Sequence, residues 1–142
     1  MLKVAFIGWR GMVGSVLMEQ MRKKGDFKGF EPFFVSTSQA GQTGPDIGLE
    51  IPPLADAFDT AGLSKSDIIV TCQGSDYTKK VHPELRRNGW KGFWIDASSA
   101  LRMTEDSIIV LDPVNRDVIE NAMNKGVKDF IGGNCTVSLM LM

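Results

Sequence analysis

Most of what this sequence lacks excludes something. It holds two cysteines, Cys72 and Cys135, and one histidine, His82, among 142 residues. Two isolated cysteines form neither a disulfide framework nor a metal-ligand spacing, so no metal is expected and each thiol needs its own explanation. A reducing compartment suits them. No apolar run approaches the roughly 18 residues of a membrane-spanning helix. The N-terminal MLKVAFIG is too short for a signal peptide and runs directly into a structured motif. These features read as a cytoplasmic chain with no membrane partner. A formal net charge of −1 leaves no broad basic field to attract nucleic acid. Low-complexity tracts, repeats and linkers are also missing.

What is present is an ordinary globular composition, 43% apolar and 23% charged, in a chain long enough for one domain with a core. Short apolar runs alternate with helical patterns, the mark of βαβ units and a mostly parallel sheet. Leu2 to Ile7 reads as a buried strand. Residues 12 to 24 read as a helix with Val13, Val16, Leu17 and Met21 on its core face, closed by Gly25. A second strand is expected at 31 to 36, a loop at 39 to 50, and one short helix within 54 to 66. Asp67 to Thr71 reads as a buried strand. Ser75 is expected to cap a helix reaching Asn88, with a kink or restart at Pro83. Further strands are expected at 92 to 96, 107 to 111 and near 129 to 131. Asn115 is expected to cap a helix that buries Val118, Ile119, Ala122 and Met123. The pattern predicts a Rossmann-like, doubly wound α/β domain with helices on both faces.

Gly8, Gly11 and Gly14 fall between the first strand and first helix, as G-x-x-G-x-x-G. A tight turn, a backbone without Cβ and the free N–H groups of a helix N-terminus together suit a dinucleotide pyrophosphate. The second strand should distinguish the dinucleotide. An NAD site usually places Asp or Glu there to bond the ribose 2′-hydroxyl. Here Ser36, Thr37 and Ser38 follow instead, with no carboxylate to repel a 2′-phosphate. Arg10 adds a fixed positive charge nearby. NADP is the expected cofactor.

Cys135 follows Gly132-Gly133-Asn134 and precedes an apparent helix. Such a place lowers a thiol pKa through the helix dipole. The glycines give a substrate access, and backbone N–H groups with the Asn134 amide suit an oxyanion. A thiolate there could attack an aldehyde, giving a thiohemiacetal that is oxidised to a thioester. Cys72 ends a core strand and fits an inert, buried thiol. His82 lies in the 75–88 helix with no catalytic partner in sequence and is expected at the surface or at a helix junction. Arg102 follows a Ser-Ser-Ala turn after a strand end, where ligands gather; its planar donors suit phosphate, but on the residues alone a surface arginine is the favoured reading.

GWRGMVG near the N-terminus, STSQ after the second strand, TCQG at 71–74, DASSALRM at 96–103, LDPVN at 111–115 and GGNCTVSLMLM at the end resemble the bacterial aspartate-β-semialdehyde dehydrogenase family, in that family's order and over nearly the whole chain. The resemblance implies an NADP-dependent phosphorylating dehydrogenase. It would interconvert L-aspartate-β-semialdehyde, phosphate and NADP+ with β-aspartyl phosphate and NADPH, on the branch to lysine, threonine and methionine. It implies Cys135 as the acyl-carrying nucleophile and Arg102 as a phosphate ligand. Arg10, Gly11, Met12, Val13, Thr37, Ser38 and Gln73 would contact NADP, and Asn134 would orient substrate and phosphate. A homodimer of a longer chain is also implied, with the general-base histidine and the substrate-carboxylate arginine downstream of residue 142. On this reading residues 1–132 form the NADP-binding domain and 133–142 open the catalytic domain. The apolar Ser138 to Met142, with no C-cap signal, reads as the start of a buried helix and the chain as a fragment, inactive by itself. Two alternatives stand beside it: a reductase of N-acetylglutamyl phosphate, which Gly-Gly-Asn-Cys-Thr and STSQ disfavour, and a nucleotide-binding fragment without catalysis.

Overall fold

A computed structural model describes residues 1–111 and 114–132. Asn134, Cys135 and the rest of 133–142 lie outside the described residues, as do Asp112 and Pro113. Among the described residues seven strands form one sheet: β1 (Lys3–Ile7), β2 (Glu31–Ser36), β3 (Ala55–Asp56), β4 (Ile68–Thr71), β5 (Phe93–Asp96), β6 (Ser107–Val110) and β7 (Asp129–Gly132). Their order is β3-β2-β1-β4-β5-β7-β6 and every pairing is parallel. Helices α1 (Met12–Lys24), α2 (Thr60–Leu63), α3 (Ser75–Arg87) and α4 (Arg116–Asn124) connect them.

The alternation of side chains along a strand splits the core into two layers. Val4 and Phe6 of β1 join Phe34 of β2 and, from α1, Met18 and Met21. Ala5 and Ile7 point the other way, to Ile69, Trp94 and the α3 residues Tyr77, Val81 and Leu85. The sheet is therefore doubly wound, as the alternating pattern predicts. The chain leaves β1 towards β2 and leaves β4 towards β5, so strand order reverses between β1 and β4. That reversal opens a crevice at the carboxyl ends of these two strands.

Several local expectations are corrected. In α1 the face towards the sheet is Gly14, Met18 and Met21, while Val13 and Val16 are exposed and Leu17 is half-buried. The helix rotation follows from backbone approach: a Cβ on Gly14 would lie 2.0 Å from the Gly8 carbonyl oxygen. Ser75 is the first helical residue, not the cap; Gly74, at φ 109°, holds that position. α3 runs unbroken through Pro83, with no restart. Asn115 stands before α4 but makes no capping bond. Its Oδ1 accepts from Leu111 N–H at 2.9 Å and its Nδ2 donates to the Ile109 carbonyl at 2.7 Å, so it ties down the exit of β6. In α4 Ala122 is buried and Ile119 half-buried, but Val118 and Met123 are exposed. Within 54 to 66 a two-residue strand, β3, accompanies the expected helix. Its two residues are too few to show a period. Among the described residues no helix is long and apolar enough to cross a membrane.

Candidate nucleotide and anion site

The three glycines of the first turn do different work. Gly8 has φ 72°, and a Cβ there would lie 2.5 Å from the backbone of Cys72 and Gln73. Its lack of a side chain lets the turn after β1 press against the end of β4. Gly14 packs α1 onto the same turn. A Cβ on Gly11 would meet only the Gly8 carbonyl oxygen, at 3.6 Å, an ordinary contact. The fold requires glycine at 8 and 14; at 11 glycine leaves open space instead. Gly11 lines a cleft of about 510 Å³ together with Arg10, Thr37, Ser38 and Gln73. The helix end above it has no side-chain cap and no acid in its first turn. Its positive dipole end is thus available to an anion. The residues present fit a pyrophosphate. Met12 and Val13 open α1 and are exposed, but do not line the cleft.

At the end of β2 the Ser36 hydroxyl organises the turn. It accepts from the backbone N–H groups of Ser38 at 3.2 Å and Gln39 at 2.9 Å. It also accepts from Arg10 Nη2 at 3.0 Å, while Arg10 Nη1 donates to the Gln39 side-chain oxygen. The guanidinium lies over the Trp9 ring, 5.1 Å from its centroid, and Trp9 Nε1 donates to the Val35 carbonyl at 3.1 Å. The glycine turn and the β2 exit are therefore one bonded unit, with a cation where an NAD site carries an acid. Trp9 and Gln39 are missing from the residues singled out above, and Ser36 is named there only as one of three residues in place of an acid; spacing does not reveal which hydroxyl faces inward.

Cys72 is half-buried beside this cleft. Burial pushes its thiol pKa up, and the Asp96 charge pushes it further. Both favour the thiol form, although Cys72 lines the cleft and is not fully buried as expected.

Arg102 stands at the same carboxyl edge of the sheet, after β5. Its Nε donates to the carbonyl of Gly132, the last residue of β7, at 3.0 Å. The seven-residue stretch from Asp96 to Arg102 is anchored at its start. Asp96 is buried and accepts from Ser98 N–H at 2.7 Å and from the Thr78 hydroxyl at 2.6 Å.

His82 corrects the expectation of a surface or junction residue. It is 9% exposed, and its Nε2 lies 2.9 Å from Asp129 Oδ1. Arg86 Nη2 reaches the same oxygen at 2.6 Å. Asp129 begins β7, so this group sits at the amino edge of the sheet, opposite the cleft.

Residues 3–122 match the family model described as semialdehyde dehydrogenase, NAD-binding domain. The chain is similar to a solved aspartate semialdehyde dehydrogenase from Francisella tularensis, at 57% identity and a TM-score of 0.91, over 99% of this chain and 38% of that one. Aspartate semialdehyde dehydrogenase II from Vibrio cholerae, complexed with ASA, shares 24% identity at a TM-score of 0.76, over 99% of this chain and 44% of that one. The enzyme from Candida albicans with NADP shares 16% identity at a TM-score of 0.70, over 97% and 44%. The last two likenesses concern the fold alone. The chain spans less than half the length of each of these proteins.

Proposed function

Since this chain belongs to the semialdehyde dehydrogenase family and carries its NAD-binding domain, we propose that it is the cofactor-binding part of an NADP-dependent, phosphorylating aspartate-β-semialdehyde dehydrogenase. The observation that carries the reading is the bond from Arg102 Nε to the Gly132 carbonyl. It ties Arg102, the arginine read as the ligand of the substrate phosphate, to the strand end three residues before Cys135 in sequence.

In the biosynthetic direction the Cys135 sulfur attacks the carbonyl carbon of β-aspartyl phosphate. A C–S bond forms, the C–O bond to phosphate breaks, and the leaving phosphate is taken up by Arg102, with Asn134 orienting both groups. Bound NADPH supplies the reducing equivalent that converts the resulting thioester to the aldehyde. The chain's own residues hold that cofactor: Gly11 and the first turn of α1, with Met12 and Val13, at the pyrophosphate, Arg10, Thr37 and Ser38 at the 2′-phosphate, and Gln73 from the β4 side. Preference for NADP over NAD rests on Arg10 beside Ser36, in a cleft that no carboxylate lines among the described residues. The reaction serves lysine, threonine and methionine biosynthesis in the cytoplasm, in a homodimer. Residues 1–132 form the nucleotide domain and 133–142 begin the catalytic one.

The test is phosphate-dependent reduction of NADP+ with L-aspartate-β-semialdehyde, run on a polypeptide of family length that contains this sequence and on these 142 residues alone. The longer polypeptide is expected to turn over and the 142 residues to show no measurable rate. General acid–base help is worth about 10²–10⁴ in rate, and His82, bound to Asp129 at the far edge, supplies none of it. Turnover of N-acetylglutamate semialdehyde in preference would replace the aspartyl reading with the related reductase.

A further inference from the structure

We propose that Asp96 is a positioning residue for the anion site, holding through Thr78 the turn that presents Arg102; this rests on the reading of Arg102 as a phosphate ligand. Asp96 is 1% exposed. A carboxylate that far from water is costly unless donors surround it. Four do. Ser98 N–H donates to Oδ1 at 2.7 Å. The Thr78 hydroxyl at 2.6 Å, the Ser98 hydroxyl at 2.9 Å and Trp94 Nε1 at 3.2 Å donate to Oδ2. Among the described residues no cation pairs with it, and its partners are neutral dipoles. As an acceptor-only group with several lone pairs, an ionised carboxylate can satisfy all four donors at once.

These donors come from three pieces of the fold. Thr78 lies in the first turn of α3, Trp94 in β5, and Ser98 in the turn that follows. β5 is itself clamped between β4 and β7, so Asp96 is a fixed point. The turn continues from it by its own bonds. Arg102 N–H donates to the Ser99 carbonyl at 3.2 Å. The Ser99 hydroxyl lies 3.3 Å from that of Ser75, again at the start of α3. The side chain of Arg102 then reaches back to Gly132 through Nε. Among the described residues nothing accepts from its two Nη groups, which leaves a planar fork for a bidentate anion. Both ends of the path from Asp96 to Arg102 are pinned. Functional groups on a turn reach fixed geometry only when the supporting layer is locked in this way.

Removing the Thr78 hydroxyl should loosen the turn without removing any group that meets phosphate. Misplacement by about 1 Å costs up to about 10²-fold in well-oriented reactions. The experiment is steady-state kinetics on the family-length enzyme carrying Thr78→Val, Thr78→Ser or Asp96→Asn. Thr78→Val is expected to raise the KM for phosphate about tenfold and to leave the KM for NADP+ within about twofold. Thr78→Ser, which keeps the hydroxyl, is expected to restore the phosphate KM. Asp96→Asn should act like Thr78→Val or more strongly, because its amide meets the Trp94 N–H, which cannot accept. Equal rises for phosphate and NADP+, an unchanged phosphate KM in Thr78→Val, or failure of Thr78→Ser to restore it would overturn the proposal. Lack of phosphate dependence in the unsubstituted enzyme would overturn the Arg102 reading and this proposal together; dependence that survives Thr78→Val intact overturns this proposal alone.

Discussion

His82 Nε2 and Arg86 Nη2 converge on one oxygen, Oδ1 of Asp129, at 2.9 and 2.6 Å. Two residues of α3 four apart, on one helix face, thereby lock the helix to the first residue of β7. Burial by itself would raise the Asp129 pKa; hydrogen bonds from His82 and Arg86, and their charges, outweigh it and hold the carboxyl below its usual value of 3.8. A depressed carboxylate pKa adds stability that is present above the usual value and is lost as pH falls through the folded one. Asp129→Asn is expected to cost about 1.5–3 kcal/mol at pH 7. The gap to the unsubstituted chain should shrink below pH 3.8. Urea unfolding at both pH values checks this; a gap independent of pH would refute the ionic account.

The glycines of the first turn should separate fold from binding. Gly14→Ala forces a Cβ to 2.0 Å from the Gly8 carbonyl. It should destabilise the chain by about 1–3 kcal/mol, as overpacking does. Gly11→Ala meets nothing closer than 3.6 Å and should leave the melting temperature nearly unchanged. Its effect belongs to the ligand: nucleotide affinity should fall. Thermal unfolding paired with NADP titration of both variants decides it, and a Gly11→Ala chain that melts like Gly14→Ala would show the division to be mistaken.

Arg10 donates to Ser36 and Gln39 at the β2 exit. Calorimetry should find NADP bound more tightly than NAD. Arg10→Ala should weaken NADP by about 10- to 100-fold, the worth of a charge-assisted hydrogen bond, while NAD affinity changes little. Equal loss for both dinucleotides would place the guanidinium elsewhere than at the 2′-phosphate.

The two thiols should differ in reactivity. Cys72 is held protonated by burial and by the Asp96 charge, and only thiolates attack alkylating agents readily. Iodoacetamide at neutral pH, followed by peptide mapping of the family-length enzyme, should label Cys135 well before Cys72. Prior labelling of Cys72 would contradict both assignments.

The amino-acid sequence by itself determined the order and kind of nearly every element, because runs such as KVAFI and DIIVT and the glycine-closed helices are local signals. It also marked the nucleotide turn and the missing acid after β2. Only the tertiary structure decided which face of α1 meets the sheet. Hydrophobic period favoured Val13 and Val16, but the contact of Gly14 with the Gly8 carbonyl sets the rotation, and a glycine carries no hydropathy to announce it. His82 and Asp129 stand far apart in sequence, as do Thr78 and Asp96, or Arg102 and Gly132. Such pairs form only when parallel strands align their ends on one edge of a sheet. No spacing rule along the chain encodes that alignment, so the buried histidine and the Asp96 clasp become visible only in three dimensions.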